Sequence, residues 1–215
     1  VMFQKNNEFP SSQKEIFKKL KILRKNQETK IGLIIGRSDN EPLPSKKGWI
    51  WISLSLEKRK IFSTKRFHIK GDINTKGLQS NLKEIGFDVV IVDWSTIKFI
   101  YTPWITLKSF LKIDDKSILI TELITGISYP TFGSWKYKPY GFDIQENIIE
   151  MKPNWTKFER EEHIKKFEHA TIEYLKTLFN KVEYKKKKEY PTREGMIRRQ
   201  EVYKFLKMTK PNYFL

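Results

Sequence analysis

Cysteine is absent from this chain, which excludes disulfide bonds and thiolate metal sites. Histidine is scarce, and His68, His163 and His169 stand at no convincing ligand spacing, so no metal site is expected. No apolar run approaches the roughly 20 residues that a membrane span needs. The opening residues, VMFQKNNEFP, also lack the apolar core of a secretory signal. An intracellular protein with no membrane partner is therefore expected. Neither a GxxxxGKS/T phosphate loop nor a GxSxG nucleophile turn occurs. Acidic residues are few: 25 Asp and Glu stand against 42 Lys and Arg, leaving a net charge of +17.

The excess of positive charge is uneven. Residues 1–30 hold 8 Lys and Arg against 3 Glu, and residues 151–215 hold 17 against 9, whereas the middle holds 17 against 13. Basic flanks on a nearly balanced centre suit contact with a polyanion, through phosphate neutralisation and counterion release. Nucleic acid, RNA or DNA, is thus the expected partner. A protein partner or a second copy of the chain is the other class left open. Lys185, Lys186, Lys187 and Lys188, with Arg198 and Arg199, are the expected nucleic-acid contacts, although a four-lysine run equally suits a solvated link between helices.

The hydrophobic pattern predicts a helix over Gln13–Lys25, with capping-box spacing from Ser12 to Glu15. Strands are predicted at Lys30–Gly36, Gly48–Leu54, Arg66–Ile69, residues 87–93 and Ser117–Leu123. Helices are predicted at Leu78–Ile85, closed by Gly86, and at Trp104–Lys112, with Thr102 as N-cap and Pro103 at the first helical position. Tyr129–Phe142 reads as a hairpin or loop excursion, and Ile144–Met151 as a returning strand. A helix is expected from the Thr156 region to about Asn180, and a second from Arg193 to Lys207. The order is βαβ-like, so the expected fold is α/β, a Rossmann-like, mostly parallel sheet with flanking helices and a C-terminal helical extension. Three parts follow: a basic amphipathic helix in 1–30, an α/β core in 31–150 and a basic helical extension in 151–215.

FDVVIVDWSTIKFI, residues 87–100, is the most informative stretch. Its apolar run suits a strand buried on both faces, and it ends in Asp93-Trp94-Ser95-Thr96. Ligands bind outside the carboxyl ends of strands in such sheets, which puts a carboxylate, Asp93, at the expected mouth of a site. Asp93 is the catalytic candidate and Ser95 its hydrogen-bonding neighbour; the plainer alternative is a turn carboxylate that closes the strand. Phe132 to Tyr140 interleaves aromatics with Lys136 and Lys138. That combination suits stacking on unpaired bases, while alternation in a hairpin more often fills a core face.

IGLIIG (31–36), HIKGDIN (68–74), FDVVIVDWSTIKF (87–99) and SILITEL (117–123) together resemble the core of class I S-adenosylmethionine-dependent methyltransferases, in particular divergent members from large DNA viruses. The resemblance implies S-adenosylmethionine as cofactor and, for a viral protein, a place in the viral factory or the virion. By that resemblance Gly36 and Arg37 lie against the donor's carboxypropyl part, Asp72 contacts the adenine amino group, and Asp93 stands beside the methyl group. Arg37-Ser38-Asp39-Asn40 replaces the family's later glycines, and Ser53 and Ser55 stand where an acid usually binds the ribose. Two functions stay open: a divergent methyltransferase acting on or with nucleic acid, and a catalytically inactive relative kept as a nucleic-acid-binding or viral assembly subunit.

Overall fold

A computed structural model of the chain describes residues 13–36, 47–56, 66–92, 94–97, 100–126, 135–137, 149–151, 172–190 and 201–211. Five strands form a parallel sheet: β1 (Lys30–Ile35), β2 (Trp49–Ser55), β3 (Arg66–Lys70), β4 (Val89–Val92) and β5 (Ile118–Gly126). Their order is β3-β2-β1-β4-β5. The near-unbroken apolar sequences of β1 and β4 follow from burial on both faces, where alternation has no solvent side to mark. Ile31, Leu33 and Ile35 of β1, with Val90 and Val92 of β4, enter one large core. Ile34 and Val89 enter a second cluster with Trp51, flanked by half-buried Trp49, Ile91, Ile118 and Ile120. Gly32 pairs with Trp51 across the β1–β2 ladder, and a Cβ there would run into the indole ring, which itself stacks on Trp49. Only glycine leaves room for that ring.

Helices cover the face of the larger core. α1 (Gln13–Arg24) buries Ile16, Phe17 and Leu20, and α2 (Lys76–Ile85) buries Leu78, Leu82 and Ile85. α4 (Pro103–Ser109) contributes Trp104 and Leu107, and the helical residues 172–178, here α5, add Leu175 and Leu178. The apolar positions three and four apart in α1 and α2 are therefore the buried ones, as amphipathic spacing requires. Burying each such Leu or Ile stabilises the fold by ~1.5–3 kcal/mol before chain entropy is counted. Gly86 stops α2 at φ +66, and α3 (Trp94–Ile97) is a single turn after β4. Pro103 stands at the start of α4 as expected. Thr102, however, is left-handed at φ +46 and makes no side-chain cap, so its predicted capping role is corrected.

The C-terminal part departs most from expectation. The helix expected to about Asn180 ends at residue 178, but Phe179–Tyr190 is strand β8, where a link between helices is expected. Glu201–Pro211 is strand β9, where the pattern predicts helix up to Lys207. β9 pairs antiparallel with β5, and β8 antiparallel with β9, giving the full order β3-β2-β1-β4-β5-β9-β8. The helical extension is thus corrected to a hairpin that completes the main sheet. The physical reason is that β5 would otherwise end the sheet with a row of unpaired backbone groups. A separate two-stranded sheet joins β6 (Trp135–Tyr137) to β7 (Ile149–Met151), within the segments read as hairpin and returning strand.

Two carboxylates fix the amino edge of the sheet and the turn into β5. Asp88, just before β4, accepts the Ile31 N–H at 2.9 Å and pairs with Arg24 of α1 at 3.1 Å. Asp114 accepts from the Ser117 hydroxyl at 2.7 Å and from the backbone N–H groups of Lys116 and Ser117 at 2.9 and 2.8 Å. Burial pushes the Asp114 carboxyl up, but the Ser117 hydroxyl, those two N–H groups and Lys112 together hold it below the ordinary value. Its stabilisation is complete above the unfolded pKa of about 3.9 and is lost as pH falls through the lower folded value. Asp114→Asn is therefore expected to cost on the order of 1 kcal/mol in urea denaturation at neutral pH. That deficit should shrink once the wild-type carboxyl is itself protonated in acid; a deficit that stays constant would contradict this role.

Candidate functional site

β1 lies between β2, which follows it in the chain, and β4, which follows after the sheet has been extended to β3 on the far side. The chain order reverses between β1 and β4, and it is outside the carboxyl ends of the strands at such a point that sheets of this kind bind ligands. Gly36 ends β1 at φ +87, a conformation that L side chains rarely adopt. Its N–H donates to the Leu54 carbonyl at 2.9 Å, which ties the end of β1 to β2. On the opposite side Thr96 of α3 packs its hydroxyl and methyl group where a Cβ of Gly36 would sit. The end of β1 and the α3 turn therefore meet at this glycine. Behind them Thr121 of β5 donates its hydroxyl to the Val92 carbonyl at 3.2 Å, satisfying the last backbone acceptor of β4.

Two polar sets flank this contact on the β2–β3 side. Parallel register puts Ser53 beside His68, and the Ser53 hydroxyl shares a 2.7 Å hydrogen bond with Nδ1 of the ring. Ser55, two residues on and so on the same face of β2, stands 3.4 Å from Nε2. Ser53 is buried, whereas Ser55 and His68 are half-buried, so exposure increases toward the carboxyl end of β2. After β3, Asp72 is exposed; its Oδ1 accepts the Asn74 N–H at 2.9 Å and its carbonyl accepts the Thr75 N–H at 3.0 Å. Asn74 then accepts the Tyr101 N–H on its own Oδ1 at 2.9 Å, joining the loop after β3 to the start of α4. The edge thus carries the exposed carboxylate of Asp72 beside a hydrogen-bonded Ser53–His68–Ser55 set.

Gly36 and Asp72, both expected at the site, stand at this one edge of the sheet. Ser95 lies in α3, one turn of chain beyond β4. Arg37 and Asp93 lie outside the described residues, as do Lys138, Arg198 and Arg199. Lys136 is the central residue of β6, opposite Glu150. Lys185, Lys186 and Lys188 pair within β8 opposite Phe205, Lys204 and Tyr203, with Lys187 at the register shift. The lysine run is therefore part of a strand, which corrects its reading as a link between helices. Among the described residues no group of three His, Asp or Glu could hold a metal ion, and no helix is long and apolar enough to cross a membrane.

Sequence reasoning placed Ser53 and Ser55 here only as standing where the resemblance expects an acid, and it missed His68, Thr96 and Asn74 as parts of this edge. One signal was legible: Ser53 and Ser55 interrupt the apolar strand GWIWISLS at alternate positions, which marks one face as polar near its end. The contact between Gly36 and Thr96, sixty residues apart, had no local signal.

No protein-family model and no curated protein matches this chain. Among solved structures it is similar to precorrin-6y C5,15-methyltransferase from Geobacter metallireducens, with 9% identity and a TM-score of 0.41, over 97% of this chain and 94% of that one. At that level the likeness identifies neither substrate nor chemistry.

Proposed function

We propose that this chain is a divergent S-adenosylmethionine-dependent methyltransferase-like protein that acts on or with nucleic acid. The observation that carries the reading is the sheet order, five parallel strands reversing between β1 and β4 and closed by an antiparallel β9 between β5 and β8. That arrangement resembles the sheet of class I methyltransferases, and Gly36 ends its first strand at positive φ. The carboxyl edge fits the nucleoside half of the donor: Ser55 supplies a hydroxyl at the end of β2, and Asp72 an exposed carboxylate at the end of β3. When bound, the donor supplies an electrophilic methyl group. The chain's own part is to hold the nucleoside, with Asp93 and Ser95 proposed to orient the acceptor and Arg37 to pair with the donor carboxylate. Basic residues from the flanks, including Lys136, Lys138, Lys185–Lys188, Arg198 and Arg199, are proposed to hold the nucleic acid.

Calorimetric titration with S-adenosylhomocysteine tests the nucleoside reading. Asp72→Asn keeps the acceptor of the Asn74 turn but removes the charge, so affinity should fall about tenfold, the usual worth of a charged hydrogen bond. Unchanged affinity would remove Asp72 from the site.

One observation favours a second reading, a donor-blind relative that serves as a nucleic-acid-binding subunit. Thr96 fills the space beside Gly36, and the Gly36 N–H is already used by Leu54. Both features belong on the side where the carboxypropyl part of the donor is proposed to lie.

A further inference from the structure

We infer that Tyr101 is a stacking platform for an unpaired base next to the loop after β3, an inference that rests on the nucleic-acid reading of this basic chain. Tyr101 is 60% exposed, although its neighbours Ile100 and Trp104 are fully buried. An exposed aromatic on a loose loop needs no explanation, but this one is held from both sides. Its N–H donates to Asn74 Oδ1 at 2.9 Å, and its carbonyl accepts the Thr106 hydroxyl at 3.3 Å. The next residue, Thr102, carries a positive φ of 46°, and no other non-glycine residue does so among those described. A threonine in that region costs about 1–2 kcal/mol, and such strain persists only where the surrounding structure imposes it. Here the buried anchors, the two hydrogen bonds and Pro103 impose it. Their joint effect is to present a tyrosine to solvent with its backbone fixed.

The surroundings select the ligand. Tyr101 is joined through Asn74 to the loop after β3, where Lys70 and Lys76 are both exposed. An exposed ring joined to a loop with exposed cations suits a single strand, whose bases stack while its phosphates are neutralised. A duplex hides its base faces and gains nothing from the ring. Because the backbone is already ordered, little freedom is lost when a base stacks.

Fluorescence anisotropy with a short labelled single-stranded oligonucleotide tests the assignment on the whole chain. Tyr101→Ala is expected to weaken binding about tenfold at fixed salt while leaving the salt dependence unchanged, since a ring carries no ionic contact. Tyr101→Phe should bind as the wild type does. Equal affinity for Tyr101→Ala would overturn the inference, as would a loss in Tyr101→Phe as large as in Tyr101→Ala. Failure of the wild type to bind the oligonucleotide would overturn it too. Titration of the same variants with S-adenosylhomocysteine separates this inference from the donor site. Donor binding without oligonucleotide binding rejects the platform alone, and Tyr101-dependent oligonucleotide binding without donor binding rejects the donor alone.

Discussion

Gly36→Ala is expected to destabilise the chain by about 2–5 kcal/mol, a large share of the stability of a domain this size. Two independent effects add. The backbone at φ +87 disfavours any Cβ, and the new methyl group would occupy the space of the Thr96 side chain. The effects can be separated by a double-mutant cycle. Thr96→Ala vacates part of that space, so in its background Gly36→Ala should keep the backbone penalty of about 1–2 kcal/mol and lose much of the overpacking. Urea denaturation of the four proteins gives the coupling. Strict additivity would contradict the packing of α3 on the end of β1. A neutral Gly36→Ala would contradict the backbone conformation as well.

Asp88→Ala is expected to cost about 3–5 kcal/mol, because it leaves a buried guanidinium without its carboxylate. The side chain of Asp88 is 9% exposed and that of Arg24 16%, so solvent screens little of the pair. Arg24 also donates to the Gly86 carbonyl at 2.6 Å and to the Thr29 carbonyl at 3.3 Å, tying α1 to the end of α2 and to the entry of β1. Asp88 in turn accepts the Ile31 N–H, so its loss strands a buried backbone donor. Asp88→Asn keeps an acceptor for Ile31 but not the charge and should cost less than alanine. Replacing Arg24 and Asp88 together by apolar residues should recover only the part due to the uncompensated charge, since the Ile31 N–H still loses its acceptor. Chemical denaturation checks all three. A cost below about 1 kcal/mol for Asp88→Ala would mean that the pair is solvated and that α1 is held by its apolar face alone.

The parallel half of the sheet was legible because its strands are short apolar runs bounded by glycine, proline and charge. KIGLIIG and VVIV can be little else when burial on both faces removes alternation. The two-strand closure was not legible. In EVYKFLKMTKP the apolar residues Val202, Phe205 and Leu206 stand at helical spacing, and the lysines between them fit a solvated helix face equally well. What decides the outcome is the bare edge of β5, a tertiary fact with no local signature. The site divides the same way. Gly36 and Asp72 follow from strand ends, whereas Ser53 meets His68 only through the β2–β3 register, and Tyr101 meets Asn74 only through the fold. Asp88 was passed over for the same reason: its partner, Arg24, lies sixty-four residues away.

The central claim is that the carboxyl edge of β1 and β4 receives an adenosyl methyl donor. Isothermal titration of the whole chain with S-adenosylmethionine and S-adenosylhomocysteine tests it most directly. The account predicts one site per chain with a dissociation constant on the order of micromolar, equivalent to about 8 kcal/mol of binding energy. No heat at millimolar ligand, from a protein shown to be folded, would contradict it and leave the proposed nucleic-acid contacts as the reading to test.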